Sequence, residues 1–156
     1  MTRLEPIRIG WAPQRPAVYG HLSAAENVAL FARLARLADP LGAATAVLGL
    51  VGLEKAEQRA AELSVGNQQR LNLALAFLGD PDVLLLDEPS ASLDPPQTSR
   101  LWELLLARRA TGRSALLATH SLEEASRLAT RTMLLVDGSV VLEGGAAEIA
   151  AAMASS

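Results

Sequence analysis

The sequence predicts an α/β fold, a partial parallel-sheet core that carries an inserted α-helical subdomain and a C-terminal β-hairpin. Three observations carry this. Val83-Leu84-Leu85-Leu86 and Ala115-Leu116-Leu117-Ala118 are short continuous apolar runs, the pattern of strands buried on both faces of a parallel sheet. Between and after them Leu101, Leu104 and Leu105, then Leu122 to Leu128, read as helices, so strand and helix alternate as a doubly wound sheet requires. Residues from about 21 to 79 are rich in Ala and Leu and read as helical, which divides the chain into a core (1–20 and 80–156) and an insert (21–79).

In chain order, Ile7-Arg8-Ile9-Gly10-Trp11 alternates as a strand does, and Pro13-Gln14-Arg15-Pro16 breaks it into a loop that presents Gln14. Ser23 followed by Glu26 has the capping-box spacing, in which each side chain satisfies a backbone donor at a helix start, and predicts a helix to about Leu37. Asp39-Pro40 is expected to stop it. A second helix is predicted over Ala43 to Leu50. A charged stretch from Glu54 to Glu62 leads to Leu63-Ser64-Val65-Gly66-Asn67 and a third helix to Leu78. Met133 to Val136 and Val140 to Leu142 flank Asp137-Gly138, a dipeptide suited to the left-handed backbone of a tight hairpin turn. The terminal Ala-Met-Ala-Ser-Ser is expected to fray.

Composition narrows the chemistry. The net charge is −3 with Lys and Arg scattered, and aromatics are 3%, so neither a basic footprint nor stacking platforms for nucleic acid are evident. There are no cysteines and two distant histidines, which leaves no thiolate or histidine zinc site. The uncharged stretch Leu41 to Leu53 contains three glycines and falls short of the roughly 20 apolar residues that span a bilayer. The N-terminal Met1 to Pro6 has no signal-peptide pattern.

The strongest chemical signal is Leu84-Leu85-Leu86-Asp87-Glu88-Pro89, two carboxylates at the C-terminal end of a buried strand, where open α/β sheets place their ligand crevice. Asp87 is suited to hold Mg²⁺ through oxygen, and Glu88 to polarise a water for attack on a γ-phosphate. Ser64 and the amides of Val65 and Gly66 begin a helix, and helix N-termini attract phosphate through unpaired N–H groups and the helix dipole. Taken alone, Ser64 is equally an N-cap and Asp87-Glu88 an acidic turn. His120, after a buried strand, emerges at the same sheet edge as Asp87 and Glu88; His21 has no comparable context.

The string Leu63 to Leu71, then Asp87 to Pro95, then His120, resembles the ATP-binding cassette (ABC) ATPase family in order and spacing. The resemblance implies a partial P-loop NTPase-like core with an inserted signature subdomain. It makes Gln14 the glutamine loop, Ser64 the start of the signature, Asp87 the Walker B acid, Ser92 to Asp94 the D-loop and His120 the switch histidine. The implied cofactors are ATP and Mg²⁺. Glu88, His120 and Gln14 take the catalytic places, and Asp87 with Gln14 the metal. Ser64, Val65, Gly66, Asn67, Ser92 and Asp94 contact nucleotide held by the opposite subunit. Val65 and Asn67 depart from the family's Gly and Gln. The implied function is an ATP hydrolase that drives a membrane transporter, most like bacterial exporters. Its partners are a second ATPase subunit and membrane-spanning permease subunits, at the cytoplasmic face of the plasma membrane. Fifty positions separate Gln14 from Ser64, enough for a compact transporter insert and too few for a long coiled coil.

The family's P-loop, whose backbone amides and lysine grip the phosphates, is absent from this sequence: its only lysine, Lys55, follows Glu54 within the insert. The 156-residue chain is therefore expected to be inactive alone. A late start assignment, a truncated or split product and a deliberate shortening all account for this. The alternative function is a degenerate cassette that completes a partner's ATP site without hydrolysis; a soluble cassette of translation or DNA repair predicts tandem cassettes or a basic surface. The missing strands are expected to leave Leu84 to Leu86 and Ala115 to Ala118 partly uncovered, hence poor solubility or dependence on a partner. A sharp, cooperative melt of the dilute purified chain counts against this.

Overall fold

The computed structural model describes residues 6–53 and 57–154; Lys55 and the N-terminal Met1 to Glu5 lie outside the described residues. Strands β1 (Ile9–Ala12), β2 (Val83–Asp87) and β3 (Ser114–Ala118) form a parallel sheet in the order β1-β2-β3. Pairing begins at Ile9, opposite Val83, which leaves Ile7 ahead of the strand and extends it to Ala12. Trp11, Leu85 and Leu116 share one row across the sheet, and Gly10, Leu84 and Ala115 the next.

The two rows meet different surroundings because successive strand residues face opposite sides. Gly10, Ala12, Leu84 and Leu86 are buried, whereas Ile9, Trp11 and Leu116 are 60%, 64% and 61% exposed. For β2 the expectation holds at Leu85, which is half-buried, and is corrected at Leu84 and Leu86, which helical packing covers. It holds for β3, where Ala115, Leu116 and Ala118 are exposed.

Helical segments between β1 and β2 supply that packing. Helix α1 (Ala24–Leu34) opens with both halves of the capping box: Glu26 N donates to Ser23 Oγ at 3.2 Å and Ser23 N to Glu26 Oε2 at 2.8 Å. It ends short of Leu37, and Arg36 takes a positive φ of 55°. Asp39-Pro40 does not stop a helix but starts one. Asp39 caps α2 (Pro40–Val51) by accepting from Gly42 N at 2.9 Å, and Pro40 fills the first helical position, where a missing N–H costs nothing. A 3₁₀ turn, Ala60–Glu62, precedes α3 (Val65–Phe77).

Helix α3 is buried around most of its circumference, through Gln69, Leu71, Asn72, Leu73, Ala74, Ala76 and Phe77. It lies so close to β1 that a Cβ on Gly10 would stand 1.9 Å from the Ala76 carbonyl oxygen. Only glycine fits there.

Helix α4 (Pro95–Ala110) starts at the N-cap Asp94, and α5 (Leu122–Leu128) at the N-cap Ser121. Strands β4 (Thr132–Val136) and β5 (Ser139–Gly144) form a separate antiparallel pair, turning at Asp137 and Gly138 with φ of 49° and 77°. Helix α6 (Ala146–Ala154) was not foreseen. The backbone expected to fray is helical through Ala154, and Ile149 is 2% exposed, while Ser155 and Ser156 lie outside the described residues. At the opposite end of the sheet from the acids, Asp80 binds Arg108 and Arg113, and Asp82 binds Arg8 and Arg113, which joins the starts of all three parallel strands.

Gly10→Ala forces helix and sheet apart and is expected to cost about 3 kcal/mol. Loss of soluble yield and of the helical circular dichroism signal, relative to the parent chain, is the readout; an unchanged spectrum contradicts so close a helix–sheet contact.

Candidate functional site

The parallel register delivers the loops after all three strands to one edge, because Ala12 pairs with Leu86 and Asp87 with Ala118. Gln14 lies two residues past β1, Asp87 and Glu88 close β2, and His120 lies two residues past β3. Hydrogen bonds join two of these four. Glu88 Oε1 accepts from the His120 backbone N at 3.1 Å, and Glu88 Oε2 lies 2.8 Å from His120 Nδ1. Gln14 is exposed and Asp87 half-buried at the same edge.

Local backbone aims these groups. Glu88 has φ of 48°, a left-handed conformation unfavourable for a residue with a Cβ, so its surroundings must hold it there. Its N–H donates to Ala118 O at 2.9 Å, its carbonyl accepts from Ala91 N at 3.2 Å, and the next residue, Pro89, accepts at its carbonyl from buried Gln69 Nε2 at 3.0 Å. The Gln14 loop is held in the same manner, with Asn72 Nδ2 donating to Pro13 O at 2.8 Å. Both tethers come from α3. Neither was singled out from sequence; Gln69 and Asn72 are the two of the helix's four amide residues that are buried, and buried amides require partners.

His120 is steadied from the far side by α5. Ser121 Oγ accepts from Glu124 N at 3.2 Å, and the fully buried Glu124 accepts at Oε1 from Trp102 Nε1 of α4 at 3.1 Å. The Arg127 guanidinium lies 5.4 Å from the Trp102 ring centroid.

Ser64 to Asn67 lie at the N-terminus of α3. Ser64 is the N-cap of α3, with its Oγ accepting from Asn67 N at 3.3 Å; it is exposed, and Val65 is 69% exposed. Ser64 therefore caps the helix while the helix start stays exposed. Gly66 faces the segment Ser92 to Asp94, where an added Cβ would stand 2.9 Å from Ser92 O. Asp94 caps α4 by accepting from Gln97 N at 2.8 Å. Asn67 does not point to open solvent alone, since its Oδ1 accepts from Arg70 Nη2.

The hydrogen bond from Glu88, followed by its charge, raises the His120 pKa above the ordinary imidazole value, with Glu124 adding a smaller push. A pKa raised on folding means that the pair contributes stability below the unfolded-state value and loses it as pH climbs through the folded one. Because the His120 side chain is 82% exposed, solvent screens the effect. Glu88→Gln is expected to lower the His120 pKa toward the ordinary imidazole value. Deuterium exchange at the imidazole C2 position, followed by mass spectrometry across pH, separates the two histidines; an unmoved His120 titration refutes the pairing.

The ABC transporter family model matches residues 1–91. The chain is 41% identical over 133 residues to mouse ATP-binding cassette sub-family A member 7, covering 83% of this chain and 6% of that protein. It is 38% identical over 146 residues to the Nod factor export ATP-binding protein I of Rhizobium meliloti (strain 1021), covering 92% of this chain and 44% of that protein. The chain thus spans less than half the length of these relatives. Among solved structures, the dimeric post-hydrolysis state of the ATP-binding cassette MJ0796 bound to ADP and Pi superposes with a TM-score of 0.81 at 26% identity, covering 90% of this chain and 63% of that one. No helix among the described residues is long and apolar enough to cross a membrane. The sheet edge, the helix-capped signature and these likenesses agree: the chain belongs to the ABC transporter ATPase family.

Proposed function

We propose that this chain forms the catalytic edge and signature portion of an ATP-hydrolysing cassette that powers a membrane exporter. The carrying observation is the Glu88 to His120 pair at the C-terminal sheet edge, combined with an open helix start at Ser64 beside the D-loop. Under this reading Glu88, His120 and Gln14 act on one nucleotide, while Ser64, Val65, Gly66, Ser92 and Asp94 face a nucleotide held by a second subunit. Residues 21–79 form the insert that meets the permease, at the cytoplasmic face of the membrane. Export is supported by the Nod factor export relatives.

The donor set fits ATP with Mg²⁺. Among the described residues there is no group of three or more His, Cys, Asp or Glu able to hold a metal unaided. Mg²⁺ in nucleotide sites is held by one or two carboxylates plus substrate phosphates, so Asp87 with Gln14 suffices. When bound, the ion neutralises developing phosphate charge. Both Glu88 oxygens are engaged by His120 within the chain. The exposed imidazole can turn outward toward a γ-phosphate at little packing cost, which frees Oε2 to take a proton from the attacking water.

A cassette that completes a partner's ATP site without hydrolysis is the second reading. ATP titration and turnover separate the readings. The 156-residue chain alone is expected to show no micromolar ATP binding. Completed ahead of Ile7 with the P-loop portion of the MJ0796 cassette, it is expected to hydrolyse ATP, and Glu88→Gln to slow turnover by about 100-fold or more. Turnover indifferent to Glu88→Gln overturns the assignment; ATP binding without turnover in the parent cassette selects the second reading.

A further inference from the structure

Helix α2 contains no charged residue, so the partial negative charge of its C-terminal carbonyls has no cation in its own last turn. Two guanidinium groups from other helices meet those carbonyls. Arg70 of α3 donates through Nη1 to Gly52 O at 2.8 Å and Val51 O at 3.4 Å. Arg100 of α4 donates through Nη2 to Gly49 O at 2.8 Å. The two converge closely: a Cβ on Gly52, which has φ of 72°, would stand 3.2 Å from Arg70 Nη1 and 3.3 Å from Arg100 Nη1.

The arginines hold equivalent places. Each lies six residues beyond the N-cap of its helix, Arg70 beyond Ser64 and Arg100 beyond Asp94. At those N-caps the helices also approach, through Gly66 and the Ser92 carbonyl. Helices α3 and α4 are thus joined at their starts by close backbone contact and further along by a shared acceptor. Asn67 extends the link, taking Arg70 Nη2 on its Oδ1 and giving its N–H to Ser64 Oγ. A half-open groove of about 160 Å³, lined by residues of α2, α3 and α4, has both arginines in its wall.

We propose that Arg70 and Arg100 are positioning residues: by sharing the C-terminus of α2 they fix Ser64 relative to the D-loop segment Ser92 to Asp94, and Asn67 belongs to this clamp rather than to the nucleotide-facing set. The proposal rests on the assignment of Ser64 and the D-loop to a second subunit's nucleotide. It also gives the Asn67 departure a reason. The side chain at this position reaches the guanidinium three residues on, the spacing at which helix neighbours face each other. A signature held in this way grips with Ser64 and the amides of Val65 and Gly66.

The test is amide hydrogen exchange by mass spectrometry on the dilute, nucleotide-free chain. Arg100→Ala is expected to speed exchange about fivefold, the scale of one lost hydrogen bond, both at Gly66 to Gln68 and at Ala91 to Leu93, although neither segment contains Arg100. Arg100→Lys, which keeps a cation and one donor for Gly49 O, is expected to return both segments together toward the parent rates. A general loss of structure would also speed other helices and would not be rescued by lysine. Faster exchange confined to Gly49 to Leu53, or in only one of the two segments, overturns the clamp. If Arg100→Ala does not fold, Arg100→Gln is measured instead and read by the same rule. Because no nucleotide is present, failure here removes the clamp and leaves the nucleotide reading standing, whereas failure of the Glu88→Gln turnover test removes that reading alone.

Discussion

Contact between α3 and β1, closed to the width of a glycine at Gly10 and Ala76, governs where the functional loops of this molecule sit. A helix this close to the sheet buries its amide side chains along with its leucines, and buried amides must find partners. Gln69 and Asn72 find theirs in the carbonyls of Pro89 and Pro13, the residues beside Glu88 and Gln14. One packing constraint thereby sets the aim of two loops. The same helix presents Ser64 at its far end, so the sheet edge and the Ser64 cap are held by a single helix.

The electrostatics of the edge depend on that placement. Glu88 occupies a left-handed backbone conformation of the kind that persists when surrounding bonds over-determine it, and here bonds to Ala118, Ala91 and the next residue's carbonyl do so. The conformation turns the carboxylate across β3 to His120, where it meets a backbone N–H and an imidazole together. Glu124 and Trp102 fix the other side of the histidine loop through a buried hydrogen bond. The pair is consequently preorganised on both flanks while the imidazole itself stays in solvent, an arrangement that combines fixed geometry with a side chain free to turn.

Much of this was legible in residue pattern. Apolar runs located β2 and β3 within a residue, the capping box located the start of α1, and Asp137-Gly138 located the hairpin turn. The misreadings have specific causes. Asp39-Pro40 carries both stop and start signals, and only the capping bond to Gly42 decides between them. Helix α6 is short and alanine-rich, and its order depends on Ile149 finding a buried place, which no local signal announces. The burial of Leu84 and Leu86 comes from helical packing on their face, which the strand's own sequence does not announce.

Residue types and their spacing by themselves determined the fold class, the alternation of strand and helix, and the acids and histidine at strand ends, because these arise from side-chain period and local hydrogen-bond demand. Tertiary structure alone decided which side chains meet. The left-handed turn at Glu88, the pairing of Glu88 with His120 and the convergence of Arg70 and Arg100 on the end of α2 all join elements remote in sequence, and such contacts exist only once the chain has packed.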